Sequence, residues 1–137
     1  MDQLLLREFL AEAEDLIEAL AGDLQSLRAH RAGGRTRRGL LDRIFRHAHT
    51  LKGSSASVEL EETARLAHEF ESLLAAARLG RVRLGDAVLD AFDDAASCMA
   101  QTLDSAARGE PPPNISAVIE RLRLLAAGGE SRAVTDS

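Results

Sequence analysis

A histidine followed three residues later by a lysine and four residues later by a glycine, His49, Lys52 and Gly53, stands in the run Phe45-Arg46-His47-Ala48-His49-Thr50-Leu51-Lys52-Gly53-Ser54-Ser55. On a helix, positions i+3 and i+4 lie one turn from position i on the same face. The run therefore sets a nucleophilic nitrogen, an ammonium group and a patch of bare backbone side by side. These are the parts required to accept a phosphoryl group, balance its charge and pass it on. A second i, i+3 pair, His68 and Glu71, follows in Leu66-Ala67-His68-Glu69-Phe70-Glu71-Ser72-Leu73-Leu74.

Glu71 falls beside Leu60 and Ala64 on the flank of an apolar stripe, where an unpaired carboxylate would be costly. The connection between the helix carrying His49 and the helix carrying Glu71 is short, which makes them antiparallel neighbours. Glu71 can then accept the Nδ1 proton of His49 and fix the tautomer. With the proton on Nδ1, Nε2 keeps the lone pair and can attack the γ-phosphorus of ATP brought by a separate kinase domain. Phosphoryl transfer depends mainly on positioning and charge neutralisation, so Lys52 as a point charge near the phosphoryl oxygens suffices from this side.

Around these residues, apolar positions at i, i+3, i+4 and i+7 define the elements that must hold them. Leu5, Leu6, Phe9, Ala13, Leu16, Ile17, Leu20, Leu24 and Leu27 predict a first helix over about 2–29, broken by Gly33-Gly34. Leu41, Ile44, Phe45, Ala48, Leu51 and Ser55 predict a second over about 37–55. Leu60, Ala64, Ala67, Phe70, Leu74 and Ala77 predict a third over about 58–79, capped by Ser57 and stopped by Gly80. Asp86 can cap a fourth over about 86–108, burying Leu89, Phe92, Ala96, Met99 and Leu103. After Pro111-Pro112-Pro113, Asn114 can cap a fifth over about 114–127 that carries Ile115, Val118, Ile119, Leu122 and Leu125. The four phenylalanines fall one to each of the first four helices, as a shared core requires. The expected architecture is all-α: an antiparallel up-down four-helix bundle with a fifth, C-terminal helix across its end, one domain over 1–127, and a small, polar tail over 128–137.

This constellation resembles the histidine phosphotransfer (Hpt) domain, and most of all the N-terminal phosphoacceptor domain of CheA-type chemotaxis kinases. The likeness extends over residues 4 to 108 and includes the acidic opening helix, Glu8-Phe9-Leu10-Ala11-Glu12-Ala13-Glu14-Asp15-Leu16. It implies His49 as phosphoacceptor, Glu71 as its orienting acid, Lys52 beside the phosphate and His68 in support. It also implies two partners, the ATP-binding domain of a histidine kinase and the receiver domain of a response regulator whose aspartate takes the phosphoryl group. ATP and Mg²⁺ belong to the kinase; this domain binds no cofactor of its own. Partners should approach over Gly53 and Ala56. Relatives often carry further glycines after the motif, where this chain has Ser54-Ser55-Ala56-Ser57-Val58-Glu59, so the path of that turn is left open.

Composition narrows the alternatives. A net charge of −5 argues against nucleic acid as the general partner. The single cysteine, Cys98, cannot form an internal disulfide, and neither a signal peptide nor a membrane-length apolar run is present, so a cytoplasmic, monomeric domain is expected. His47 lies about 200° from His49 around the helix and cannot share a metal with it. His68-x-x-Glu71 reverses the order of a di-metal bundle motif and has no counterpart on another helix. No Gly-rich phosphate loop is present, so the domain is not its own kinase. His30 with Arg28, Arg31, Arg35, Arg37 and Arg38 forms a basic cluster, solvated or set to meet an acidic partner. A freestanding phosphorelay protein, or a helical interaction module without phosphotransfer, also fits the same residues.

Overall fold

The computed structural model describes residues 3–29 and 34–128. It contains α1 (Gln3–Ala29), α2 (Arg35–Ser57), α3 (Glu61–Arg78), α4 (Asp86–Ala107) and α5 (Ser116–Ala126), and no strand among the described residues. Helices α1 to α4 pack in a closed ring, α1 on α2, α2 on α3, α3 on α4 and α4 back on α1. This is the expected up-down bundle. Its core is aliphatic, built on fully buried Leu20, Leu27, Ile44, Leu51, Leu66, Leu73, Leu89 and Met99 around a Phe70–Phe92 ring pair with centroids 4.6 Å apart. Such a pair adds to the area both rings bury.

Three of the four phenylalanines, Phe9, Phe70 and Phe92, lie in that core; Phe45 does not. It is half-buried at the rim between α2 and α3, because Arg78 from the end of α3, rather than another apolar side chain, covers it. Leu5 is 47% exposed, while Leu60, Ala64 and Ala77 are only partly covered. Helix α5 packs on α3 and α4, where Ile115, Ile119, Leu122 and Leu125 extend the same core and Arg123 pairs with Glu69 at 3.1 Å. At one end of the ring Arg28 of α1 reaches Asp90 at 3.0 Å and Asp93 at 2.7 Å on α4, which removes it from the expected basic cluster. His30, Arg31, Gly33 and the tail from 129 on lie outside the described residues.

The helix ends hold most of the departures. The α2–α3 connection is only Val58, Glu59 and Leu60. Ser57 does not cap α3; its hydroxyl donates back to the Ser54 carbonyl at 2.8 Å, and Leu60 occupies the N-cap without a side-chain bond. The turn is closed from the other side, by Leu60 N–H donating to Ser55 O and Glu59 N–H to Ala56 O. This double bond pattern satisfies the last carbonyls of α2 and needs a left-handed residue after the cap. Glu59 supplies it, at φ 64°, where the equivalent positions after α3 and α4 are Gly80 and Gly109. Asp86 is the first residue of α4 rather than its cap, and its negative charge suits the helix start. Asn114 stands one residue before the α5 N-cap, Ile115, rather than in it, and its Oδ1 accepts from Ser116 N–H at 2.9 Å.

Candidate functional site

The three-residue α2–α3 turn sets the register of the two helices, and that register brings residues 49 and 71 together. His49 Nδ1 and Glu71 Oε2 lie 2.5 Å apart. Lys52 Nζ donates to the other carboxylate oxygen, Oε1, also at 2.5 Å. Partial burial of Glu71 pushes its carboxyl pKa up, but the hydrogen bonds from Lys52 and His49 outweigh it and hold the group below its ordinary 4.5. Glu71 is therefore ionised at neutral pH and can only accept, which assigns the proton between the two residues to Nδ1.

Exposure divides the pair by role. The imidazole is 65% exposed and the Glu71 side chain 12%. Nε2 makes no hydrogen bond to any described residue, so the nucleophilic nitrogen faces outward while its orienting partner is walled in. A second constraint comes from Phe45, one turn earlier on α2, whose ring stacks on the imidazole at an interplanar angle of 9° and a centroid separation of 6.4 Å. The Arg78 guanidinium covers the Phe45 ring 4.6 Å from its centroid and pairs with Asp42 at 2.9 Å. The His49 ring is thus held at one edge by a carboxylate and flanked by an aromatic face. Apolar periodicity places Phe45 on the helix but misses this contact, for which its i, i+4 spacing to His49 is the signal.

Gly53 lies beside His49 on the exposed face, and a Cβ added there meets no heavy atom within 4 Å. Ala56, one turn further, is exposed as well, so the approach expected over these two positions is open. Lys52 differs from expectation in one respect: it is tied to Glu71 on the Nδ1 side of the ring, and reaching a phosphoryl group on Nε2 requires it to swing away from Oε1. His68 is exposed and makes no hydrogen bond to Glu71 or Lys52. Among the described residues no group of three or more His, Cys, Asp or Glu side chains is placed to hold a metal ion, and no helix is long and apolar enough to cross a membrane.

An all-helical bundle that presents one oriented, outward-facing histidine defines a class, and the Hpt domain family model matches residues 4–123; the chain belongs to the Hpt domain family. Among curated proteins it is similar to the chemotaxis protein CheA of Treponema pallidum, 35% identical over 120 residues that make up 87% of this chain and 14% of that protein. Similarity to the chemotaxis protein CheA of Cereibacter sphaeroides is 32% over 134 residues, 97% of this chain and 19% of that one. The chain thus spans less than a fifth of the length of these relatives. Its fold matches the phosphorylated P1 domain of CheA3 solved in complex with CheY6 from R. sphaeroides, with a TM-score of 0.77, 22% identity and coverage of 93% of this chain and 98% of that one.

Proposed function

We propose that this chain is the phosphocarrier domain of a CheA-like pathway, in which His49 takes a phosphoryl group from ATP held by a histidine kinase domain and yields it to an aspartate of a response regulator. The observation that carries the reading is the pairing of an ionised Glu71 with His49 Nδ1 while Nε2 is left exposed and unbonded. In the first step the Nε2 lone pair forms a bond to the γ-phosphorus. The bond from that phosphorus to the β–γ bridging oxygen breaks, and ADP leaves with the electron pair. The positive charge that develops on the ring is stabilised through Nδ1–H by the Glu71 carboxylate. In the second step an aspartate oxygen attacks phosphorus, the P–Nε2 bond breaks and its electron pair returns to the ring, restoring the neutral tautomer with hydrogen on Nδ1.

Lys52 completes the site as a movable cation. Phosphoryl oxygens arriving at Nε2 compete with Glu71 for the ammonium group, and its long stem allows the exchange without backbone movement. ATP and Mg²⁺ are brought by the kinase domain. The domain acts as a monomer in the cytoplasm. The test is to incubate the chain with a CheA-type ATP-binding domain and Mg-ATP. The expected product is a mass gain of one phosphoryl group, labile in acid and stable in base, that is absent from His49→Gln. A label that persists in His49→Gln would overturn the assignment.

A further inference from the structure

Helix α2 begins Arg35-Thr36-Arg37-Arg38 and has no acidic residue in its first turn. That is the wrong sign for a helix start, where the macrodipole favours anions and disfavours cations, and Arg35 and Arg38 additionally repel each other at i, i+3. Folding does not account for this charge. Arg35, Arg38 and Arg46 are exposed and form no ion pair with any described residue. Residues 35, 38, 42, 46, 49 and 53 follow one another in steps of three and four, so these arginines share a single exposed stripe with His49 and Gly53. The one acid in the stripe, Asp42, is taken by Arg78 at 2.9 Å. On a chain of net charge −5, a ridge of excess positive charge leads along α2 to the phosphoacceptor.

Distance decides how the ridge can act. At a rise of about 1.5 Å per residue, Arg46 is about 4.5 Å from His49 along the axis, Arg38 about 16 Å and Arg35 about 21 Å. The screening length is about 8 Å at physiological ionic strength, so Arg46 alone can act directly on a phosphoryl group at Nε2. Arg35 and Arg38 require a partner whose surface lies along the helix. A ridge of about 20 Å matches one side of an ordinary protein interface of about 800 Å².

Resting on the phosphotransfer reading above, we infer that Arg35, Arg38 and Arg46 dock the acidic face of the response regulator, as distinct from the kinase domain. Both partners bring anionic groups to Nε2, but their routes of encounter differ. The chain corresponds to less than a fifth of its CheA relatives, and a kinase domain on the same polypeptide reaches His49 at a high effective concentration set by the linker. A regulator arrives by diffusion. Long-range charge complementarity raises its encounter rate and fixes its orientation, which is the service a distant row of guanidiniums provides.

The experiment uses the full chain with Arg35 and Arg38 both changed to Glu, and a second variant with both changed to Gln; Arg46, close enough to act on the phosphoryl group itself, is kept. Each is phosphorylated by the kinase domain, purified and mixed in rapid-quench assays with each receiver domain encoded by the source genome. For the receiver that the unmodified chain phosphorylates fastest, the Glu variant should lose about tenfold or more in kcat/KM at about 50 mM salt, the Gln variant less. The gap should close toward about 0.5 M salt. When each variant is also fused through a flexible linker to the kinase domain, labelling of His49 should stay within about twofold in both. Glutamates suit the start of α2, so circular dichroism should show an intact bundle. Unchanged transfer rate and salt dependence in a labelled variant sinks the ridge alone, and labelling that falls in step with transfer assigns the ridge to the kinase instead. Failure of the unmodified chain to take label on His49 sinks the phosphotransfer reading itself.

Discussion

Helix α2 carries two histidines, and each meets a carboxylate and a cation on a neighbouring seam. On the α2–α3 seam, His49 bonds Glu71 through Nδ1, and Lys52 takes the second oxygen. On the α1–α2 seam, Arg43 forks onto both oxygens of Asp23 at 2.8 and 3.1 Å, and His47 Nε2 stays 3.8 Å away, beyond hydrogen-bond range. The difference lies in what the carboxylate is committed to. A planar guanidinium satisfies both Asp23 oxygens in a fixed geometry, whereas a single ammonium leaves one Glu71 oxygen for the ring. The neighbours at i+4 differ as well: bare Gly53 for His49, buried Leu51 for His47. The same residue classes therefore give an oriented, accessible imidazole on one seam and an ion pair with a bystander on the other.

The largest effect should separate the histidines themselves. His49→Gln is expected to reduce phosphorylation to background, and His47→Gln to leave it within about twofold, because of the two only His49 has a carboxylate bonded to Nδ1 and an exposed ring. Phosphopeptide mapping of both variants checks this. Next in size is Gly53→Leu against Gly22→Leu. Both glycines are helical and open to solvent, so both variants should gain up to about 1 kcal/mol of stability from helix propensity. Only Gly53→Leu should block transfer, since only that side chain enters the space a partner must occupy. Equal transfer rates in the two folded variants would mean that no partner approaches over residue 53.

Glu71→Ala should slow phosphorylation by roughly 5- to 100-fold, the equivalent of about 1 to 3 kcal/mol for a lost charge-assisted bond. Asp23→Ala, which removes the ion pair on the α1–α2 seam, should leave the rate alone. The Glu71 carboxyl is lowered on folding, so it contributes stability that is complete above pH 4.5 and is lost as pH falls through the lowered value. Urea midpoints measured from pH 7 downward should accordingly show a shallower acid-side decline in Glu71→Gln than in the unmodified chain. The smallest effect concerns the turn that sets the α2–α3 register. Glu59 at φ 64° holds a conformation that costs a residue with a Cβ about 1 kcal/mol or more, so Glu59→Gly should raise Tm by roughly 3 to 5 °C with no change in transfer. An unchanged Tm would show that Glu59 bears no strain there.

Much of this architecture is legible in the order of the amino acids. Amphipathic periodicity locates all five helices to within a few residues, and the short link between α2 and α3 suffices to pair His49 with Glu71. The left-handed residue at 59 is hidden, because turn chemistry announces itself through glycine or asparagine and this turn has neither. Phe45 reads as core because periodicity tells which way a side chain points, not whether the neighbouring helix ends in an alanine or in Arg78. The Asp23–Arg43 fork, the reach of Arg28 to α4 and the tether of Lys52 to Glu71 are choices among several nearby charges. Spacing along one chain cannot rank them; the relative placement of packed helices does.

With neither tryptophan nor tyrosine, the protein is nearly silent in near-ultraviolet absorbance and fluorescence. The near-parallel Phe45 ring beside His49 makes position 45 the place to give it a voice. An indole there would be the chain's single fluorophore, half-sheltered at the rim and lying against the ring that gains and loses the phosphoryl group. Its emission would then follow the state of His49 in real time, without a radioactive label or a quenched sample.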